Sequence, residues 1–251
     1  MVPLLDLCVQ LYSVRAPLDA DFFGSLARLR EIGFTRVEPF GLLDYADKLR
    51  DALAANGLTA PTTHQSLAGG DLDRIFTIAA DLGIGTVIHP VTPRADWTTR
   101  SDVERVAELL NAAAEVASQY GIRVGFHNHV WEIRLQLDGR TSLEVFADLL
   151  DPSVVLEVDT YWAAVGGQDV PALLGRLGNQ VPALHLKDGP LSGENQDQLP
   201  WGSGELPAAQ ILAAASVLEF PVIEFDRYSG DIFDGIAAAY AYATGTLGFP
   251  R

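Results

Sequence analysis

Residues 1–251 are predicted to form a single domain, a (β/α)8 TIM barrel. Eight short apolar runs alternate with longer segments of helical period, polar side chains share one parity of the later runs, and all five histidines end such runs. Strict alternation favours a parallel sheet covered by helices, and eight repeats favour closure into a barrel. An open doubly wound sheet is the alternative, but the first strand-to-helix turns lack a GxGxxG phosphate loop.

The eight strands are predicted from apolar runs bounded by turn residues. They are LDLCVQL (5–11), TRVEPF (35–40), LTAPTTH (58–64), GTVIHP (85–90), IRVGFHNH (122–129), VVLEVDT (154–160), VPALHLK (181–187) and PVIEFD (221–226). Most are rich in β-branched residues, which suit a buried parallel strand.

Helices are predicted between the strands from apolar residues that recur every three or four positions. One ends at Gly33, and another has Asp71 as its N-cap and Gly83 just past its end. The longest begins with a capping box of Ser101 and Glu104 and ends at residue 121. Further helices are predicted near residues 44–56, 142–150, 169–178, 206–219 and 231–244.

The charge balance argues against nucleic-acid and membrane partners. Seventeen Lys and Arg against 33 Asp and Glu give a net charge of −16, which phosphate backbones and anionic membranes repel. The single Cys8 forms no internal disulfide, and residues 1–15 lack the pattern of a secretion signal, so a cytoplasmic protein is expected. No run approaches the roughly 18 apolar residues of a membrane helix. A homodimer is the assembly expected from the frequency of symmetric oligomers alone.

Polar and apolar side chains alternate along the predicted strands, as required where one face meets helices and the other faces the barrel interior. In the fifth strand, His127 and His129 share one parity. In the seventh, His185 and Lys187 oppose two leucines, and in the eighth Glu224 opposes two apolar residues. The polar residues are therefore expected to point inward.

The histidines mark the carboxyl ends of the strands, where barrel active sites are built. They are His64, His89, His127, His129 and His185. Strands five to eight together offer four ligands at comparable heights, namely His127, Asp159, His185 and Glu224. Two imidazoles and two carboxylates suit a divalent ion such as Mn²⁺, Zn²⁺, Co²⁺ or Fe²⁺. The alternative is a polar plug of hydrogen-bonded pairs, for instance Asp159 with His185.

Several further residues are candidates for binding a substrate. Lys187 either neutralises an enolate or pairs with Glu157, and Arg227 either grips a substrate oxygen or is a surface charge. Aromatic residues in the strand-to-helix loops suit the apolar face of a sugar. The predicted substrate-binding set is Gln10, Tyr12, Glu38, His64, His89, Trp131, Trp162 and Arg227.

Seven stretches, in order along nearly the whole chain, resemble the xylose isomerase-like barrels of the sugar phosphate isomerase/epimerase superfamily. They are VQLYSVR (9–15), GFTRVEPF (33–40), FHNHVWE (126–132), LEVDTYWAAVGG (156–167), LHLKD (184–188), GSGEL (202–206) and VIEFDR (222–227). The resemblance implies a metal site of Glu, Asp, His and Glu, which Asp159, His185 and Glu224 match. His127 stands in place of the strand-five glutamate, which shuttles a proton in the ketose epimerases, so two-base 3-epimerisation is not implied.

The resemblance further implies a sugar isomerase or epimerase that uses one divalent ion. The candidates are Mn²⁺, Zn²⁺, Co²⁺, Fe²⁺ and Mg²⁺. A base removes a proton next to a carbonyl, and the candidate bases are Glu224, His129 and Glu132, with Lys187 as a further catalytic residue. The expected partner is a small sugar or cyclitol. The alternatives are a lyase or dehydratase acting by β-elimination, and a sugar-binding barrel without catalysis. An endonuclease IV-like phosphodiesterase is disfavoured by the charge.

Overall fold

Residues 5–250 are described by the computed structural model, and eight parallel strands form a barrel within them. In chain order the strands are β1 (Cys8–Gln10), β2 (Arg36–Glu38), β3 (Thr62–His64), β4 (Thr86–His89), β5 (Arg123–His127), β6 (Gln136–Leu137), β7 (Arg140–Thr141), β8 (Val155–Asp159), β9 (Ala183–Leu186) and β10 (Phe220–Ile223). β6 and β7 form a separate small hairpin.

The barrel is nearly closed. Its strands follow the order β2, β1, β10, β9, β8, β5, β4, β3, and parallel bridges from Arg36 to Thr59 and from Phe40 to His64 join the two ends. The predicted (β/α)8 barrel is confirmed, and all eight predicted strands are present. Each of the eight is shorter than predicted. For example, β1 ends where Gln10 Oε1 accepts a hydrogen bond from Tyr12 N and starts a 3-10 turn.

Eleven helices lie within residues 5–250. They are α1 (Arg15–Ala20), α2 (Phe22–Ile32), α3 (Leu42–Asn56), α4 (Leu72–Asp81), α5 (Arg100–Ser118), α6 (Val130–Arg134), α7 (Ser142–Leu149), α8 (Thr160–Val165), α9 (Val170–Leu177), α10 (Ala208–Ala214) and α11 (Ile232–Thr246). The predicted N-cap Asp71 is confirmed, since its side chain accepts from Arg74 N. None of these helices is long and apolar enough to cross a bilayer.

The predicted start of α5 is wrong. The capping box is formed by Thr99 and Asp102, not by Ser101 and Glu104. Thr99 has an extended backbone, its Oγ1 accepts from Asp102 N, and the Asp102 carboxylate accepts from Thr99 N. Helix α5 therefore begins two residues earlier than the sequence pattern suggested, and Ser101 is an exposed residue of its first turn.

Alternation along the strands separates two surfaces, as predicted. Apolar side chains such as Val124, Phe126 and Leu184 are fully buried in the core between strands and helices. The opposite parity carries polar side chains into the barrel, including His127 and Lys187. Three short helices were not predicted: α1, α6 and α8. They follow the strands β1, β5 and β8 and form part of the connections at the carboxyl ends of these strands.

Candidate functional site

A cavity of about 490 Å³ opens at the carboxyl ends of the barrel strands. Its ionisable lining residues are His64, His127, His129, His185, Lys187, Glu224 and Asp226. Its lining also includes the aromatic and apolar residues Tyr12, Phe40, Pro90 and Val91. A sugar ring has polar hydroxyls and apolar C–H faces, so the cavity has the mixed character that such a molecule needs.

Four buried side chains meet beside this cavity and are called the inner group: His64, His127, Glu157 and His185. Glu157 Oε2 lies 2.6 Å from His64 Nε2, 3.0 Å from His127 Nδ1 and 3.1 Å from His185 Nε2. His127 and Glu157 are register partners on the adjacent strands β5 and β8, which explains why they meet. The group therefore brings three imidazole nitrogens to one carboxylate oxygen.

Burial and charge act against each other in the inner group. Burial disfavours an ionised carboxyl, but the imidazoles of His185 and His64 outweigh it and hold the pKa of Glu157 well below its usual range. Burial also opposes a charged His185, yet Glu157 and Glu38 raise the pKa of its imidazole to about 10. Burial and the neighbouring His185 lower the pKa of His127, which stays neutral. Without a metal, the group is thus held by a carboxylate and an imidazolium.

Glu38 supports the inner group from β2 without bordering the cavity. Its Oε1 accepts a hydrogen bond from Gln10 Nε2 at 2.8 Å and lies 2.8 Å from His185 Nε2, while Thr62 Oγ1 donates to its Oε2. Glu38 is fully buried. Gln10 and Glu38 were both predicted to bind substrate. Gln10 borders the cavity, whereas Glu38 does not and instead orients Gln10 and His185.

A second cluster, the outer group, consists of Asp159, His185 and Glu224. Asp159 is the register partner of His185 on β8 and β9. The ammonium of Lys187 lies among its carboxylates, with Nζ 2.7 Å from Asp159 Oδ2 and in contact with Glu224 Oε2. Lys187 Nζ is also 2.9 Å from Asp226 Oδ2. The sequence left open whether Lys187 pairs with Glu157 or neutralises an enolate. Its ion-pair partners are Asp159, Glu224 and Asp226 instead of Glu157.

The charge of Lys187 is fixed by its partners. Burial opposes the ammonium, but Asp159 and Asp226 outweigh it and raise the pKa of Lys187. Burial raises the pKa of Asp159, and Lys187 only partly offsets this. The Lys187 ammonium is therefore the favoured form, and it borders the cavity.

The four ligands predicted from the sequence are divided between the two groups. His185 belongs to both, because its Nε2 faces Glu157 and its Nδ1 lies 3.6 Å from Glu224 Oε2. His127 belongs to the inner group, and its Nε2 is 3.9 Å from Asp159 Oδ2. The four residues do not lie in one layer, since His127 is level with Glu157 and Asp159 is level with His185.

The donor chemistry of both groups fits a divalent ion. Imidazole and carboxylate ligands suit Zn²⁺, Mn²⁺, Co²⁺ and Fe²⁺. Four buried atoms of these groups have no hydrogen-bond partner within residues 5–250, namely Glu157 Oε1, Asp159 Oδ2, His185 Nδ1 and Glu224 Oε2. Two of them, Asp159 Oδ2 and Glu224 Oε2, form ion pairs with Lys187 Nζ. A buried group of His, Glu and Asp that is able to hold a metal is thus present, and the identity of the ion is not fixed by it.

The candidate bases differ in their access to the cavity. Glu224 and His129 border it, but Glu132 does not. Glu132 is fully buried, its Oε2 accepts from His129 N at 2.8 Å, and burial raises the pKa of its carboxyl to about 8. Burial and the nearby Lys187 lower the pKa of His129 to about 3, so this imidazole is neutral and weakly basic.

Four other predicted substrate-binding residues do not border the cavity, namely His89, Trp131, Trp162 and Arg227. Trp131 stacks on His129 with 4.4 Å between ring centroids, and Trp162 donates from Nε1 to Asp226 Oδ2 at 3.0 Å. His89 Nδ1 accepts from Leu67 N at 3.1 Å and does not border the cavity. Arg227 is exposed beside a neighbouring shallow pocket.

Tyr12, by contrast, borders the cavity itself and is 39% exposed, which leaves its ring available at the mouth. It packs edge-on against Phe40, with 5.4 Å between the ring centroids. Tyr12 is therefore the predicted aromatic residue best placed to touch a ligand.

Sequence reasoning missed Asp226 as a site residue and gave Glu157 only as a partner for Lys187. Asp226 Oδ2 accepts from Lys187 Nζ, Trp162 Nε1 and Gln198 Nε2 and borders the cavity. Its parity with Glu224 on the eighth strand was the available signal. Glu157 has the inward parity of Asp159, but the stagger of the barrel strands decides which residues it meets, and the sequence does not record that stagger.

Comparison with known proteins agrees with this geometry. A family model described as a xylose isomerase-like TIM barrel matches residues 26–221, more than half of the chain. The inosose dehydratase of Geobacillus kaustophilus is 30% identical over 91 residues, which are 36% of this chain and 29% of that protein. The chain thus spans less than a third of the length of the curated relatives that it matches.

Solved structures share the fold over almost the whole chain. A sugar phosphate isomerase/epimerase from Parabacteroides distasonis has a TM-score of 0.80 at 23% identity and covers 96% of this chain and 93% of that one. A structure of the IolI protein with a zinc atom has a TM-score of 0.72 at 14% identity and covers 98% of this chain and 100% of the other. Because the family model matches more than half of the chain, and the barrel has its candidate site at the strand ends, this chain belongs to the xylose isomerase-like TIM barrel family.

Proposed function

We propose that the protein is an enzyme that removes a proton next to the carbonyl group of a sugar or cyclitol, as an isomerase or epimerase. One observation carries this proposal: an ammonium, four imidazoles and two carboxylates border one cavity, from Lys187, His64, His127, His129, His185, Glu224 and Asp226. Proton abstraction next to a carbonyl needs a base and a fixed positive charge for the oxygen that becomes negative. The cavity offers both.

A divalent ion is part of the proposal, held by ligands from the strand ends with His185 common to both groups. The predicted ligands His127, Asp159 and Glu224 complete the set. When bound, such an ion acts as a Lewis acid on a substrate oxygen. The solved structure of the IolI protein, which has the same fold, contains a zinc atom, and this supports a divalent ion in the proposed site.

Lys187 supplies the positive charge that the chain itself brings to the reaction. Its Nζ borders the cavity, and three carboxylates hold it in place. A charge that is already oriented stabilises a developing enolate oxygen without reorganisation. Lys187 thus holds the substrate oxygen on the side of the outer group.

Glu224 is the base that the geometry supports best. Its carboxylate borders the cavity and lies beside Lys187, so the accepted proton and the stabilised oxygen are close together. Glu132 has no access to the cavity, and the lowered pKa of His129 makes its imidazole a weak base. His129 and its stacking partner Trp131 then serve to shape the wall.

A lyase is the second candidate, and the local likeness to an inosose dehydratase favours it. Its first step is the same proton removal. The two reactions differ afterwards: an isomerase or epimerase returns a proton to carbon, whereas a lyase expels a β-hydroxyl group, which leaves as water after it is protonated. Because the first step is shared, one experiment on proton removal tests both.

The test is solvent exchange in D₂O with a panel of ketoses and inososes, followed by NMR. The wild-type protein, purified without chelator, is expected to exchange the proton next to the carbonyl of at least one compound. Glu224→Gln should slow that exchange by about 100-fold or more, since general-base catalysis contributes roughly that much. Glu205→Gln, which changes an exposed carboxylate outside the cavity, is the matched control.

The products separate the two candidates. An isomer of unchanged mass indicates an isomerase or epimerase, and a product lighter by one water indicates a lyase. If no compound exchanges although the protein binds one of them, the proposal is overturned in favour of a sugar-binding barrel without catalysis.

A further inference from the structure

We infer that Gln198 is a positioning residue for Lys187 and that it acts through Asp226. It locks the Asp226 carboxylate in the orientation that retains the Lys187 ammonium at the cavity when an ion draws on the other two carboxylates around that ammonium. The inference rests on the proposed function, in which Asp159 and Glu224 are metal ligands and Lys187 faces a substrate oxygen.

The three carboxylates around Lys187 are not equivalent. Asp159 Oδ2 lies 2.7 Å from Lys187 Nζ, and Glu224 Oε2 is also in contact with it. Both carboxylates belong to the outer group and to the proposed ligand set, so an ion and the ammonium share the same oxygens. Asp226 belongs to neither group, and its Oδ2 accepts from Lys187 Nζ at 2.9 Å. It is therefore the partner that the ammonium keeps once an ion is bound.

Lys187 needs such a partner because it is buried. Its side chain is only 2% exposed. A buried ammonium that loses its carboxylate is poorly solvated, and the neutral amine becomes the favoured form. A carboxylate of fixed orientation keeps the positive charge at one place in the cavity, which is what the stabilisation of an enolate oxygen requires.

Gln198 fixes Asp226 through both ends of its amide. Its Oε1 accepts from Asp226 N at 2.8 Å, and its Nε2 donates to Asp226 Oδ2 at 2.6 Å. One amide thus binds the backbone and the side chain of the same residue and closes a ring. Trp162 Nε1 donates to the same Oδ2 at 3.0 Å. Two donors from other segments of the chain therefore hold this oxygen beside Lys187.

Gln198 is itself held in place by the connection between β9 and α10. Its side chain is buried. Leu199 N, the next amide along the chain, donates to Asp188 O at 3.0 Å. The Asp188 carboxylate accepts from Gly202 N and Leu206 N, which ties the end of the connection back to its start. Gln198 therefore reaches the site from a loop that is fastened directly after β9.

The experiment is acetylation of the lysines with N-hydroxysuccinimidyl acetate, followed by peptide mass spectrometry. The sequence has two lysines, and the exposed Lys48 is the internal reference for Lys187. A neutral amine reacts with this reagent, so an ammonium held by a carboxylate is protected. The ratio of the Lys187 rate to the Lys48 rate is measured in chelator-treated protein and in protein saturated with Zn²⁺, with zinc binding followed by competition with a metal-binding dye.

Two substitutions break the lock. Gln198→Leu removes both hydrogen bonds, and the isosteric Gln198→Glu removes the donor to Asp226 Oδ2. In zinc-loaded protein each should raise the rate ratio about 10-fold or more, since residues that support a metal site contribute roughly 10- to 100-fold. In chelator-treated protein the rise should stay within a few fold, because Asp159 and Glu224 still hold the ammonium.

The matched control is Gln196→Leu, which changes an exposed amide of the same loop and should leave both ratios unchanged. Thermal melting shows which variants are folded, and the two substitutions of Gln198 keep the test decisive if one of them does not fold. Solvent exchange gives a second reading. The loss in the Gln198 variants should lie in kcat with KM preserved, as expected for a charge that acts on the developing oxygen.

A double variant tests whether Gln198 acts through Asp226. Asp226→Asn alone should raise the zinc-loaded ratio at least as much as Gln198→Leu does. Adding Gln198→Leu to it should then change the ratio by no more than a few fold, because residues of one hydrogen-bond network are not additive.

An equal rise with and without zinc would assign Gln198 to loop stability alone and overturn the inference. Fully multiplying effects in the double variant would also overturn it, as would an unchanged ratio in folded, zinc-loaded variants or the absence of zinc binding to wild-type protein. Failure of the proposed function is seen separately, as the lack of solvent exchange with every sugar, because acetylation needs no substrate.

Discussion

His64 Nε2 lies 2.6 Å from Glu157 Oε2, and this contact joins β3 to β8 across the interior of the barrel. The two strands are not neighbours in the sheet. Glu157 also meets His127 and His185, so one buried carboxylate holds imidazoles from three strands.

Replacing Glu157 by Gln should therefore destabilise the metal-free protein. An amide keeps the shape of the side chain but removes the negative charge that stabilises the buried imidazolium. Breaking one partner of a buried pair costs about 3 kcal/mol of unfolding free energy. Urea denaturation of chelator-treated Glu157→Gln measures this, and the exposed Glu205→Gln should change stability by less than about 0.5 kcal/mol. Equal midpoints for the two variants would contradict the prediction.

Lys187→Met should destabilise the protein in a pH-dependent manner. Burial opposes the Asp226 carboxylate, but Lys187 and Gln198 outweigh it and hold its pKa well below its usual range. A lowered pKa contributes stability that is present above the usual range of an aspartate and is lost as pH falls through the lowered value. At pH 7 the variant should lose about 3 kcal/mol or more.

The loss caused by Lys187→Met should shrink as pH falls below about 4, because the unpaired carboxylates can then take up protons. Urea denaturation at pH 7, 5 and 3.5 measures the trend. Lys48→Met, at an exposed position of α3, is the control and should show no such trend. A constant loss at all three pH values would mean that packing, rather than charge, is the contribution of Lys187.

Glu132→Gln should stabilise the protein above pH 5. Burial raises the pKa of Glu132 from 4.5 to about 8, so between these values the folded protein binds a proton that the unfolded chain releases. Stability of the wild type therefore falls as pH rises through this interval. The Gln variant has no carboxyl to titrate, so its stability does not fall in this way. Its amide oxygen can still accept the hydrogen bond from His129 N.

The gap in unfolding free energy between Glu132→Gln and wild type should grow by up to about 1.4 kcal/mol per pH unit between pH 5 and 8. Denaturant unfolding at each pH unit measures it. A gap that does not change with pH would show that Glu132 is ionised in the folded protein.

Thr99→Ala should lower stability by about 1 kcal/mol, the usual value of an N-cap hydrogen bond. Thr99 Oγ1 accepts from Asp102 N at the start of α5, whereas Ser101 lies within the first turn. Ser101→Ala should consequently be neutral or slightly stabilising, because alanine has the higher helix propensity. Thermal unfolding of both variants tests the assignment, and the reverse order of effects would restore the capping box predicted from sequence.

The barrel, its eight strands and the inward parity of the polar residues could all be predicted from the sequence. These features depend on periodicity within one segment at a time, and His127, His185 and Lys187 all point into the barrel as their parity requires. Strand and helix periods are local properties, so they can be read without knowing which strands are neighbours. The same holds for the N-cap Asp71.

The grouping of those inward residues, in contrast, depends on how the strands are arranged in the folded barrel. Asp159 is level with His185, but His127 is level with Glu157, and His64 reaches the same carboxylate from β3. Barrel closure staggers neighbouring strands and brings distant ones face to face, and the sequence of one strand contains no record of either. For this reason the four ligands that the sequence placed at comparable heights are divided between two groups, and Lys187 pairs with the carboxylates of the outer group.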